Sequence, residues 1–117
     1  LLYSNNYIQK FKEEFSNFID RQKNMYIDVT SISKRLHSIL NCNIGNELCK
    51  LELPKLLINA VDDKLMKVHH GRELHKLCYN SKLISLDSGG HMLTETRADD
   101  LDTHINCFLD SLVKLYE

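Results

Sequence analysis

The chain has 117 residues, 43% of them hydrophobic and 26% charged, with one Pro, four Gly and no Trp; that size and balance exclude two domains, a disordered chain and a fibre. Fifteen Lys and Arg against 16 Asp and Glu leave a formal charge of -1, without the basic excess that a phosphate backbone demands, so nucleic acid is not an expected partner. No apolar run approaches the roughly 20 residues that span a bilayer and the opening lacks the ordered regions of a signal peptide, so a soluble, cytoplasmic protein without a transmembrane segment is expected.

Leu1 stands where a translation start would carry Met, and the chain is expected to be the C-terminal piece of a longer protein. Ile8, Phe11, Phe15, Phe18 and Ile19 then recur at three- and four-residue steps, with Lys10, Lys12, Glu13 and Glu14 between them, which predicts one amphipathic helix over residues 5–23. Val29, Ile32, Leu36, Ile39 and Leu40 repeat the pattern up to Asn41, with Asp28 or Thr30 as N-cap. Stripes of this kind are expected to face a core. A loop containing Gly45 leads to Pro54, where the period changes. Lys55 to Val61 is a short continuous apolar run that stops at Asp62 and Asp63, the pattern of a buried strand. His70, Leu74, Leu77 and Cys78 space a helix over 68–79 that ends at Asn80 and Ser81. Lys82 to Leu86 reads as a second strand running into Asp87-Ser88-Gly89-Gly90-His91. Thr96-Arg97-Ala98-Asp99 matches a capping box, and Leu101, Ile105, Phe108, Leu112 and Leu115 form one face of a final helix.

Strand, helix, strand, helix with short connections is a βαβα unit with parallel strands and a right-handed crossover. Chemistry in such units gathers beyond the carboxyl ends of the strands. Asp62 and Asp63 follow the first strand and His91 follows the second, so an acid and a histidine should emerge at one sheet edge. A carboxylate that accepts the Nδ1 proton of an imidazole fixes its tautomer and stabilises the imidazolium formed when Nε2 takes a proton from a nucleophile. Gly89 and Gly90 permit the positive φ or close approach that places the ring. Cys42, Cys49, Cys78 and Cys107 show no paired CxxC spacing and are expected as reduced thiols in or near the core. His69, His70, His75 and Cys78 crowd one segment without a second half-site, so neither a metal nor another cofactor is expected.

The stretch Leu53-Pro54-Lys55-Leu56-Leu57-Ile58-Asn59-Ala60-Val61-Asp62-Asp63-Lys64, then His70-Gly71-Arg72-Glu73-Leu74, then Ser88-Gly89-Gly90-His91-Met92 and the final helix, resembles the C-terminal part of the α/β-hydrolase family. The resemblance implies an α/β fold in which residues 53–117 are the C-terminal βαβα part of a mostly parallel sheet, and residues 1–52 a helical lid or connecting segment. By register Asp63 matches the triad acid, His91 the triad base, and Asp62 a turn or capping residue. Ala60 replaces a common Gly and Lys64 a common Pro. No G-x-S-x-G elbow or variant of it occurs in these residues, so the nucleophile and the oxyanion hole are expected upstream. The implied function is an esterase- or lipase-like hydrolase cleaving small ester, thioester or amide substrates through a Ser-Asp-His triad, the chain alone being inactive. The alternative is a non-catalytic, hydrolase-like binding module. An unpaired edge on the first strand invites the rest of the same protein, or another chain, as partner. Met92 and Leu93 are placed to line a pocket beside His91. A phospho-receiver domain is not expected, since only 54 residues follow Asp63 in this sequence.

Overall fold

The computed structural model describes residues 2–23, 25 and 28–114. The chain opens with α1 (Asn5–Lys10), capped by Ser4, whose hydroxyl oxygen accepts the Tyr7 N–H at 3.2 Å. Periodicity predicts one helix to Lys23, but Phe11 leaves the helical region (φ -116°, ψ 40°) and α2 runs separately over Lys12–Lys23. The offset lets an aromatic row close on itself. Tyr3 stacks on Tyr7 with centroids 5.4 Å apart, Phe11 meets Tyr7 at 4.7 Å, and Phe15 returns edge-on to Tyr3 at 5.3 Å. This row is half-buried at Tyr3, Tyr7, Phe11 and Phe15 and exposed at Phe18, so it is a surface cluster where a core face was expected.

α3 (Val29–Asn41) starts at Asp28, the first of the two expected caps, whose carboxylate accepts the Thr30 N–H at 3.1 Å. Its apolar stripe is likewise uncovered, with Val29 72% and Leu40 75% exposed. The expected Gly45 loop contains a short helix, α4 (Gly45–Lys50).

From Pro54 onward the order is β1 (Lys55–Ala60), α5 (Val68–Leu77), β2 (Ser81–Leu86), α6 (Leu93–Thr96) and α7 (Ala98–Val113). This is the anticipated alternation. β1 and β2 pair in parallel from Lys55 opposite Ser81 to Ala60 opposite Leu86, and α5, the crossover, packs on both strands while α7 contacts β1. Gly71 makes the crossover close, because a Cβ there would collide with the Asn59 amide, whose Nδ2 donates to the Val68 carbonyl at 3.3 Å. Asn80, in the left-handed region at φ 58°, turns the chain from α5 into β2. The start of β1 is anchored by buried Lys55, whose ammonium donates to the carbonyls of Leu51, Leu53 and Tyr79.

The final helix departs from its expected start. Thr96 closes α6, its one hydroxyl proton shared between the Gly89 and Met92 carbonyls at 2.7 and 3.1 Å; Arg97 stands at the N-cap position of α7 in its place, and α7 begins without a side-chain cap. Leu101, Phe108 and Leu112 of α7 are half-buried and Ile105 is exposed; Leu115 lies outside the described residues.

Among the described residues only Ala60, Cys78 and Leu86 form a buried apolar core. Cys78 therefore meets the expectation for the thiols, whereas Cys42 and Cys107 are exposed and Cys49 is half-buried. β1 is buried only at its two ends, Val61 lies beyond it and is exposed, and no further strand pairs with it among the described residues. A radius of gyration of 17.4 Å exceeds the roughly 13 Å of a compact chain of this length, as expected for elements whose apolar faces stand open. No helix among the described residues is long and apolar enough to cross a membrane.

Candidate active site

Both parallel strands end at the same edge, and the two turns that follow meet there. After β1, the Asp63 N–H returns to the Ala60 carbonyl at 3.3 Å, and one oxygen of Asp63 accepts the Leu65 and Met66 N–H groups, each at 2.8 Å. That leaves Oδ2 facing out of the turn. After β2, Gly89 (φ 141°) and Gly90 (φ 68°) reverse the chain and present His91, whose Nδ1 lies 3.0 Å from Asp63 Oδ2 across 28 residues of sequence. The Asp63 side chain is 8% exposed and the His91 side chain 34%.

Burial alone would push the Asp63 carboxyl up; the hydrogen bond from His91, the Leu65 and Met66 amides and the attraction of the imidazole outweigh it, and the net shift is downward. Asp63 is thus held as the charged acceptor. With its proton on Nδ1, His91 donates to Asp63 and directs Nε2 away from the acid, where no described residue hydrogen-bonds it.

The histidine loop is held group by group. The Arg97 guanidinium donates to the Ser88 carbonyl at 3.0 Å and the Thr96 hydroxyl to the Gly89 carbonyl. Gly90 N–H donates to Asp62 Oδ1 at 2.8 Å, and the Leu2 carbonyl accepts the N–H groups of His91 and Met92 at 2.8 and 3.1 Å. Arg97 is itself fixed by ion pairs with Asp87 and Asp100, which raise its pKa and lower theirs. Strand-end placement pointed to Asp62, Asp63 and His91, and the family resemblance to Asp63 among the acids, but neither pointed to this frame. The Leu2 contact involves a backbone carbonyl, which no side-chain pattern reveals, and Thr96 and Arg97 read as a capping sequence.

Gly90 cannot be exchanged for a larger residue without moving this frame. Its φ is unfavourable for a side chain, and a Cβ would sit 2.8 Å from the Ser4 nitrogen and 2.9 Å from the Leu2 oxygen. Gly90→Ala is expected to lower stability by about 2–4 kcal/mol, read in urea unfolding of the whole protein.

A cleft of about 440 Å³ runs from His91 and Asp63 along β1, lined also by His70, Leu74 and Leu93. Leu93 falls where the sequence placed it; Met92 does not line the cleft. Leu56, Leu57, Ile58 and Asn59 all border it, and since consecutive strand residues point to opposite faces, the cleft follows the open edge of β1.

The histidines of α5 do not gather as one ligand set. His75 Nδ1 meets the Ser81 hydroxyl at 2.8 Å, at the opposite end of the strands from His91, and Cys78 is buried. His69, His70 and Glu73 bring ligand atoms within 4.8 Å of one another, but all three are exposed on one helical turn and fall short of the closed four-ligand set of a structural zinc site.

No family model matches the chain. It is 27% identical over 84 residues to "Putative carbamate hydrolase RutD" of Pseudomonas syringae, a match covering 72% of this chain and 32% of that protein. Over 63 residues it is 35% identical to "Uncharacterized hydrolase YugF" of Bacillus subtilis, covering 54% and 23% respectively. Parts of the chain are thus similar to hydrolases of the α/β-hydrolase family. A RutD from Klebsiella pneumoniae, 26% identical over 83 residues, gives the same relation, and the chain spans less than a third of the length of each of these curated hydrolases.

Proposed function

We propose that this chain supplies the acid and the base of a serine hydrolase acting on small ester, thioester or amide substrates, the nucleophilic serine coming from outside its 117 residues. The observation that carries this reading is the 3.0 Å contact between His91 Nδ1 and the sequestered carboxylate of Asp63, on turns that leave adjacent parallel strands at one edge. As the serine oxygen attacks the substrate carbonyl, His91 Nε2 takes its proton and Asp63 stabilises the imidazolium. That proton passes to the leaving alcohol, thiol or amine as the tetrahedral adduct collapses to an acyl-enzyme. Water, deprotonated by His91, then releases the acid and restores the serine.

Residues 53–117 act in this reading as the end of the hydrolase sheet and 1–52 as a lid or connecting segment. The open edge of β1 seats the next strand of the same protein, or of another chain, and that addition brings the nucleophile to His91. Carbamates, named for the RutD relatives, share the acyl carbon of esters and amides and fall within the substrate class. Four unpaired cysteines support a reducing, cytoplasmic setting.

Incubating the whole protein with p-nitrophenyl acetate and butyrate tests the proposal. A burst of about one equivalent of p-nitrophenolate followed by slower turnover is expected of an acyl-enzyme. Release at the buffer rate by folded protein would favour the non-catalytic binding module instead.

A further inference from the structure

We propose that Asp62 is a positioning residue for His91: its carboxylate holds the backbone of the glycine turn from which the imidazole projects, while its neighbour Asp63 holds the ring. The inference rests on the reading of His91 as the base and adds a second, separate task for the Asp-Asp pair. Gly90 N–H donates to Asp62 Oδ1 at 2.8 Å, and Gly90 is buried. A buried amide left without an acceptor is costly, and at this point the chain has already left β2, so the sheet ladder offers none. The next two amides, of His91 and Met92, share the Leu2 carbonyl. Of the three consecutive N–H clamps, only that on Gly90 comes from a side chain, so it alone depends on residue identity.

The arrangement also explains why the two acids are adjacent. Asp62 and Asp63 leave one turn, closed by the Asp63 N–H on the Ala60 carbonyl. Loop backbone and imidazole are therefore fixed against the same short rigid segment. The turn that carries Asp63 thus contributes, beside the Leu2 carbonyl, to setting the separation between His91 Nδ1 and Asp63 Oδ2, which matters because a displacement of about an ångström costs a catalytic group much of its effect.

The test uses the whole protein with Asp62→Asn, which keeps an oxygen acceptor but removes its charge, and Asp62→Ala, which removes the acceptor. Amide exchange of Gly90 and the titration of the Asp63 carboxyl carbon are followed by NMR, beside kcat and KM for p-nitrophenyl acetate. A graded response is expected. Gly90 exchange accelerates severalfold in the Asn variant and about tenfold or more in the Ala variant. In Asp62→Ala the Asp63 carboxyl titrates closer to the ordinary carboxylate range, because the imidazole has withdrawn, and kcat falls about tenfold or more with KM within twofold. Wild-type Gly90 exchanging as fast as an unstructured glycine overturns the proposal. So does an Asn variant identical to wild type in both Gly90 exchange and kcat, a result that stands even where Asp62→Ala does not fold. Hydrolysis that survives His91→Ala removes the catalytic reading but leaves the exchange and titration results to decide the positioning role.

Discussion

His91→Ala in the whole protein is expected to lower kcat for ester hydrolysis by about a thousandfold or more while KM changes less than about threefold. The effect is large because one ring performs both proton transfers: Nε2 removes the serine proton during acylation and activates water during deacylation. The effect falls on kcat because His91 acts on the reacting atoms and contributes little to holding the substrate. The fold is expected to tolerate the change. The ring is 34% exposed, and the loop is held by backbone contacts to Leu2 and Asp62 that do not involve the imidazole. A thermal melt close to that of the wild type, beside the kinetic loss, separates catalysis from stability.

Asp63→Asn is expected to cost roughly a hundredfold to ten-thousandfold in kcat. The amide retains an oxygen for the Leu65 and Met66 N–H groups, so the turn persists, but Nδ2 now faces His91. A donor opposite Nδ1 favours the tautomer with its proton on Nε2, which cannot accept from serine. The same variant changes the acid limb of stability. Asp63 has a folded-state pKa below its unfolded value, so its contribution is complete above the unfolded value of about 4 and is lost as pH falls through the lower folded value. Wild-type protein should therefore lose more stability than Asp63→Asn between about pH 5 and pH 2 in urea unfolding. Equal losses would show that the Asp63 carboxylate is not specially stabilised in the fold.

The βαβα half was legible because its signals are local. Continuous apolar runs closed by Asp-Asp and by Ser-Gly-Gly marked strands that pair as expected, and β1 and β2 end within a residue of their anticipated limits. That an acid and His91 would meet was legible for the same reason, since strand ends on one edge converge; strand-end placement alone did not choose between Asp62 and Asp63, and the contact falls on Asp63. The first half was legible in helix content but not in environment. Periodicity located the helix at Val29, yet it cannot say whether an apolar stripe has anything to pack against, and in α3 it does not among the described residues. The break at Phe11 accompanies aromatic contacts between residues up to 12 positions apart, and periodicity is blind to those. Thr96 failed as a cap because the short helix α6 takes it in, which leaves Arg97 at the N-cap position of α7. Asp62 carried a plain turn signal, and only the fold shows that its oxygen meets Gly90.

The most direct test of the central claim is labelling of the whole protein with a fluorophosphonate, followed by mapping of the modified residue by mass spectrometry. Stable phosphonylation needs a serine activated by a base that is itself oriented. The predicted result is one labelled serine outside residues 1–117, with labelling slowed about a hundredfold or more in both His91→Ala and Asp63→Asn. Labelling at the wild-type rate in those two folded variants, or no labelling of the folded wild-type protein, would contradict it.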